Sequence, residues 1–557
     1  MAFSFTLEKP QRGALTARLI VLTAVATVLV HAAAACAETG AAAVAWGSNV
    51  HAELAAGYQD TFEESPVSVL GLSNVTELAN GSEFSLALLS DGTVRAWGNN
   101  GHGQLGDGTG GRDTGTWAKG SDYVTVAGLS SVKAISAANS HALALLENST
   151  VEAWGNNNYG QLGNGEGGVE KETGERQSVP NVIEGLTGVI AIASGGGSNF
   201  ALLNNHTVMA WGENAHGQLG IGELGPETCV NEIKQVLPCS TRPRMVLAAS
   251  GKPLEHVVAI SAGQKSTYAL LTDGHVMAWG ANNMGQLGTG GPLLHVNLVP
   301  EEVKSASTGG ALGGVAEVSA GAFDALALLG SGQTYGWGAV GNGELGHVLR
   351  PQACKKIRCL QTARPINGLE HLEVSNVSAG EGYSLVVSGG KVYSLGTNEH
   401  GELGDGSTSN TTTPTPVEGL GAVSSVLAGS ADGAGKTHAL ALLQEGIQPP
   451  QVALSVEPGI GSLKLLWRMR AEAYVLEYNP SRRESCEATA PGEESSTCEE
   501  NEEVAEVADS HRKVTLGEQA DSFEFTGLEA QPYTLIIKST GKHHLEKKRV
   551  IRGTPLS

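Results

Sequence analysis

The stretch AWGNNGHGQLGDG, residues 96–108, decides the fold because it does not occur once. It returns as AWGNNNYGQLGNG from Ala153, AWGENAHGQLGIG from Ala210 and AWGANNMGQLGTG from Ala278. Weaker copies are GWGAVGNGELGHV from Gly336, SLGTNEHGELGDG from Ser394 and AWGSNVHAELAAG from Ala45. These seven copies are anchored on Trp46, Trp97, Trp154, Trp211, Trp279, Trp337 and Leu395, and successive anchors are 51 to 68 residues apart. Such a period marks a repeat architecture, in which each unit buries its apolar face against its neighbours.

Working outward, a second phrase precedes most copies, as in ISAANSHALALLENSTVEAWG from Ile135. Its short apolar runs, such as His141-Ala-Leu-Ala-Leu-Leu146, are followed by turn residues such as Ser90-Asp91-Gly92 and then by a second run such as Thr93-Val-Arg-Ala-Trp97. Strand, tight turn, strand is the reading. Each repeat offers about four short strands and no helix, and such units repeated seven times predict an all-β, seven-bladed propeller. The chain ends complement each other. The first AWG, at 45–47, has no strand phrase before it, and the last strand phrase, at 426–443, has no AWG after it. Sharing one blade would remove two free sheet edges.

The W-G-x-N-x-x-G-Q-L-G-x-G core after S-A-G-x-x-H-x-L-A-L resembles the regulator of chromosome condensation repeat, over roughly residues 41–443. That resemblance implies a seven-bladed propeller. It also implies, from nuclear members of the family, guanine-nucleotide exchange on a small GTPase. The first copy (Ala52, Ala55, Ala56), the sixth (Val340, Val348) and the seventh (Leu395) depart from the pattern, which puts local loop geometry in question.

Among 557 residues, Lys and Arg number 35 against 57 Asp and Glu, a formal charge of −22. So acidic a chain repels a phosphate backbone, and nucleic acid is not an expected partner. Residues 1–37 carry Lys9, Arg12 and Arg18, an apolar run from Leu19 to Val30, and Ala35-Cys36-Ala37. That order reads as a secretory signal peptide, with a lipid anchor at Cys36 or an uncleaved membrane anchor as alternatives. The expected location is therefore secreted or cell-surface, with no membrane span once the leader is removed. The remaining six cysteines fall in three local pairs: Cys229 with Cys239, Cys354 with Cys359, and Cys486 with Cys498. In an exported chain these read as three disulfides.

Residues 38–447 form the expected propeller and 448–557 a second domain. The latter's alternating runs, with Trp467, Tyr478, Leu528 and Tyr533 in order, are similar to a fibronectin type III β-sandwich. Several motifs suggest chemistry and are read as structural. Gly101-His-Gly-Gln-Leu-Gly106 fits a dinucleotide fingerprint, yet no helix follows it. Gly429 to Thr437 resembles a phosphate loop, yet a strand phrase follows. His51, His102, His216 and His400 share one repeat position on different blades, too far apart to share a metal.

No catalytic, cofactor or metal residue is assigned. The expected function is an exported, non-enzymatic interaction scaffold binding an unidentified protein through propeller loops. Trp117 and Tyr123, in a polar, Gly-rich insertion, are the expected contact residues. The alternatives are nucleotide exchange on a small GTPase and a polysaccharide-active lyase or hydrolase in the central channel.

Overall fold

The computed structural model describes residues 41–57, 60–110, 123–167, 177–231, 233–293, 296–348, 351–354, 357–429 and 437–444. It also describes strand backbone at 454–459, 462–467, 473–480, 512–517, 522–526, 533–540 and 547–553. Residues 41–444 build seven antiparallel sheets of four or five strands, one per repeat, and these close into a seven-bladed propeller. In the Trp97 blade, Val75–Asn80 is innermost, followed outward by Phe84–Leu89, Val94–Gly98 and Val124–Thr125.

The seven innermost strands begin at Val75, Val132, Val189, Val257, Val315, Val374 and Val423. Each touches the next round the ring, the last returning to the first. All seven carry a register irregularity after their first residue, as between Val75 and Glu77. A bulge there bends the strand. In every copy the residue after the leading Val is exposed and the next is partly buried, so this segment faces the central channel.

Closure uses both ends of the ring. Ala43–Ser48 pairs with His438–Leu443 on one side and with Phe62–Ser68 on the other, giving a sheet that joins the first and last repeats. Residues Ala43 and Leu442 are paired, as are Gly47 and His438. The chain therefore enters and leaves the ring at the same rim. The turns after Trp46, Trp97 and the other anchors lie at the opposite rim.

The six tryptophans are fully buried. Each indole donates across a seam to the backbone carbonyl of the Gln or Glu that opens the preceding repeat's turn. Trp154 donates to Gln104 (2.9 Å), Trp211 to Gln161 (3.0 Å), Trp279 to Gln218 (2.8 Å) and Trp337 to Gln286 (2.9 Å). Trp97 donates to Glu53 (2.6 Å), and Trp46 closes the ring on Glu402 (2.8 Å). The turn glycine gives the indole room: a Cβ on Gly220, at φ +68°, would lie 2.7 Å from Trp279 Nε1. The first copy has Ala55 instead, held at φ 44°, with Ala52 at φ 61°. The backbone of the degenerate copy thus keeps the left-handed turn that glycine supplies elsewhere, at some conformational cost.

Leu395 is the exception. No indole reaches the preceding carbonyl of Glu344, and the Ser384 hydroxyl from the neighbouring strand donates to it instead (2.7 Å).

Two blades gain a fifth, outermost strand, Glu227–Val230 in the Trp211 blade and Gln352–Cys354 in the Trp337 blade. Two of the three expected disulfides tie these strands to their neighbours: Cys229 to Cys239 and Cys354 to Cys359, with Cα atoms 5.9 and 5.8 Å apart. The third expected disulfide, between Cys486 and Cys498, falls outside the described residues. Both cysteines lie in the acidic stretch that separates two strands of the second domain.

Beyond the propeller, backbone pairing gives two more sheets. One joins Leu454–Gly459, Ser462–Trp467 and Ser522–Thr526. The other joins Arg512–Gly517, Ala473–Pro480, Tyr533–Thr540 and Lys547–Gly553. The leader 1–37 also lies outside the described residues. Among those residues no helix is long and apolar enough to cross a membrane.

Trp46→Ala should remove the closing indole and cost ~3–5 kcal/mol, as for other buried aromatic truncations. Trp46→Phe should cost less, chiefly the unsatisfied Glu402 carbonyl, at ~1–3 kcal/mol. Urea denaturation would read both, and an unchanged midpoint for Trp46→Ala would refute closure through this strand.

Candidate partner-binding face

The repeated motif contributes little free chemistry, because its polar groups are consumed by its own turn. An Asn side-chain oxygen accepts from the Leu amide five residues on in six copies, from 2.9 Å between Asn214 and Leu219 to 3.3 Å between Asn49 and Leu54. The Gln or Glu of the turn accepts from the amide two residues earlier, as at His102 (2.7 Å), Tyr159 (2.7 Å) and His400 (2.8 Å). The recurring histidine position therefore serves the backbone turn, and its rings contact nearby blades. His51 Nδ1 lies 3.4 Å from Glu83 Oε2, and His102 Nδ1 lies 3.2 Å from Asn156 Nδ2. Among the described residues, no three His, Cys, Asp or Glu side chains converge as a metal site.

The channel wall is engaged as well. Position three of the inner strands holds Glu77, Ala134, Ala191, Ala259, Glu317, Asn376 and Ser425. Glu77 Oε2 accepts from the Ile135 amide of the next blade (3.1 Å), and Asn376 Oδ1 accepts from Val426 (2.9 Å). Two positions on, Ser261, Ser319 and Ser378 accept from Ala320, Ala379 and Ala428 at 2.8–3.0 Å. At the rim bearing the turns, Asn139 Oδ1 receives both Ser82 Oγ (3.2 Å) and Gln264 Nε2 (3.0 Å), a polar bridge between three blades. Burial pushes the Glu77 carboxyl up to about 7, against the stabilising Ile135 amide.

A Ser–His contact also exists, with Ser85 Oγ 2.7 Å from His438 Nε2. Both residues are wholly buried, so the hydroxyl cannot meet a substrate. Burial drives the imidazoles of His438 and His141 down to about 4, keeping them neutral; His141 Nε2 pairs with Asn199 Oδ1 across the next seam (2.9 Å).

What remains for recognition is the face carrying the inserted turns. Its most prominent feature is the stapled hairpin of the Trp211 blade. Val230 pairs with Val236, whereas Glu213 at the end of the adjoining strand pairs only as far as Cys239. The hairpin therefore runs past the blade by about three residues, or ~10 Å. The described residues at its tip are hydrogen-bonded: the Asn231 amide donates to Gln235 (3.0 Å), Lys234 to Asn231 (2.9 Å), and Asn231 Nδ2 to the Tyr159 hydroxyl of the preceding blade (3.2 Å). Ile233 is 81% exposed on it and Val236 59%. A rigid turn presenting apolar side chains is what a protein contact needs at small ordering cost. Sequence reading missed this element because the motif search sets insertions aside; the flanking cysteines were the available signal.

Of the residues expected to contact a partner, Trp117 lies outside the described residues. Tyr123 sits on the edge of the Trp97 blade, where its hydroxyl donates to the Gly71 carbonyl (2.9 Å) and Arg95 covers its ring at 5.6 Å.

The chain carries regulator of chromosome condensation (RCC1) repeats. One pattern of this repeat matches residues 75–104, 132–161, 189–218 and 257–286, and a second matches 151–202, 205–270, 273–328 and 389–432. The chain is 30% identical over 296 residues to the human probable E3 ubiquitin-protein ligase HERC6, covering 52% of this chain but only 26% of that protein. It thus spans about a quarter of that relative's length. It is 27% identical over 436 residues to the bovine secretion-regulating guanine nucleotide exchange factor, covering 76% of this chain and 87% of that protein. Among solved structures, Prp20p of Saccharomyces cerevisiae, described with its binding properties to Gsp1p and histones, superposes with a TM-score of 0.59. That match has 22% identity and covers 74% of this chain and 93% of the other. At that identity it supports the fold.

The near full-length match to an exchange factor overturns the expected exported scaffold and favours the exchange alternative. The physical reason for the miss is plain in the turns. The motif encodes blade geometry, and the leader weighed against exchange without any contact residue to set beside it.

The titrations have opposite signs. Glu77 binds protons more tightly folded than unfolded, so its contribution is full below about pH 4.5 and is lost as pH rises through about 7. His141 and His438 bind protons more weakly folded, so stability falls as pH drops from about 6.5 towards 4. Glu77→Gln keeps an acceptor for Ile135. It should therefore match the parent near pH 4.5 and exceed it by ~1–3 kcal/mol at pH 8. Denaturation midpoints at both pH values check this, and a pH-independent difference would contradict it.

Proposed function

We propose that the propeller is a guanine-nucleotide exchange factor that holds a small GTP-binding protein against the face bearing the inserted turns. The observation carrying this reading is the relative of that activity, matched across 87% of its length. Exchange needs no covalent step on the factor. It requires a rigid surface that binds the nucleotide-free partner more tightly than the loaded one. The coupling is reciprocal: by whatever factor the propeller weakens nucleotide binding, nucleotide weakens the propeller's hold. The Ile233 hairpin suits such a surface, being stapled, projecting and apolar at its tip. Residues 448–557 are read as a fibronectin type III-like sandwich that follows this unit in the chain as a spacer.

Release of a fluorescent GDP analogue from a panel of small GTPases should accelerate tenfold or more with one of them when the full chain is added. Ile233→Asp should reduce that acceleration at least tenfold, equivalent to ~1.4 kcal/mol, without moving the melting temperature. No acceleration across the panel would refute exchange. Acceleration that survives Ile233→Asp would refute only the hairpin's part. The leader supplies a further check. A functioning protein recovered from cytosol with Met1 retained would support exchange, whereas a chain found only outside cells beginning at Glu38 would oppose it.

A further inference from the structure

One seam of the ring differs from the other six in two independent ways. Between the Trp337 and Leu395 blades no indole crosses, because Leu395 occupies the tryptophan position and only the Ser384 hydroxyl meets the Glu344 carbonyl. The same seam concentrates acid. Glu317 Oε1 accepts from Asn376 Nδ2 of the Leu395 blade (2.9 Å). Asp324, 1% exposed, has no hydrogen-bond partner at Oδ2. Glu344, 2% exposed, accepts from the Asn342 amide (2.8 Å) and lies close enough to Asp324 to oppose its ionisation.

We propose that this seam is a proton-set joint, held shut while Glu317, Asp324 and Glu344 retain protons and loosened at this one place in the ring when they ionise.

The surroundings give the ionised forms no counter-charge. Among the described residues none of the three forms an ion pair with Lys, Arg or His. The titratable group that acts on Asp324 from an adjoining element is Tyr268 of the Trp279 blade, whose hydroxyl is fully buried. The Leu395 blade meets the seam with Asn376 and Ser384, which carry no charge. Burial raises Glu317 to about 7, and raises both Asp324 and Glu344. An uncompensated buried carboxylate is costly, and water entering an opened seam relieves that cost. Other seams carry one of these features at most. Glu77 sits at the Trp97–Trp154 seam, but that seam has its indole bracket. The Trp211–Trp279 seam has the bracket and alanines at position three.

Hydrogen exchange of the full chain, corrected for intrinsic rate, tests the joint. Peptides covering 334–345 and 383–396 should open more readily as pH rises from 5 to 7, by up to about tenfold per unit from Glu317 alone. Peptides at the Trp211–Trp279 seam should not. Glu317→Gln should flatten the response while keeping an acceptor for Asn376. Glu344→Gln restores the Gln-Leu-Gly turn found in four other copies and should flatten it too, providing a second variant if Asp324→Asn does not fold. Equal pH dependence at both seams, or an undiminished response in Glu317→Gln and Glu344→Gln, would overturn the proposal.

Discussion

The indole-to-carbonyl bond that crosses six of the seven seams is the constraint on which the ring depends. A blade taken alone cannot bury its apolar faces. It must bury its faces against two neighbours, and apolar burial by itself does not fix how far one blade slides past the next. A tryptophan does both. It fills the seam with a large apolar body and aims one polar hydrogen at a single carbonyl. That carbonyl sits on a left-handed turn whose glycine lets the indole approach. The Asn and Gln side chains hold the turn in shape. The sequence repeats in order to repeat this bracket.

This explains what could be read without a structure. Trp46 had no strand phrase before it and His438-Ala-Leu-Ala-Leu-Leu443 had no AWG after it, and the two do pair. Blade number and closure were legible because a seam contact needs the same residues every time. The hairpin at Ile233 was not legible, since a projecting insertion obeys no period. Nor were the channel latches: Glu77, Glu317 and Asn376 hold equivalent sites, but the other four copies have Ala or Ser there. A side chain that works at one seam only leaves no pattern along the chain.

The same logic separates fold from function. Nearly every polar group that looked chemical in the motif is engaged by a backbone partner two or five residues away, or by the next blade. The histidines that recur resemble ligands only until their turns are examined. Recognition must therefore use what lies between motifs, where glycine-rich loops, stapled strands and acidic side chains differ from blade to blade. Loop-borne recognition on a repetitive scaffold follows from the scaffold's demand for sameness.

Closure has a consequence for how the polypeptide can be cut. Ala43 and Leu442 face each other as neighbours in one sheet, so the ring's natural start and finish are a matter of genetics more than of shape. A short linker could join them, and new termini could open in any link on that same rim without changing a single seam. The circle has no privileged beginning. What singles out one position is the Leu395 blade, where the bracket is missing.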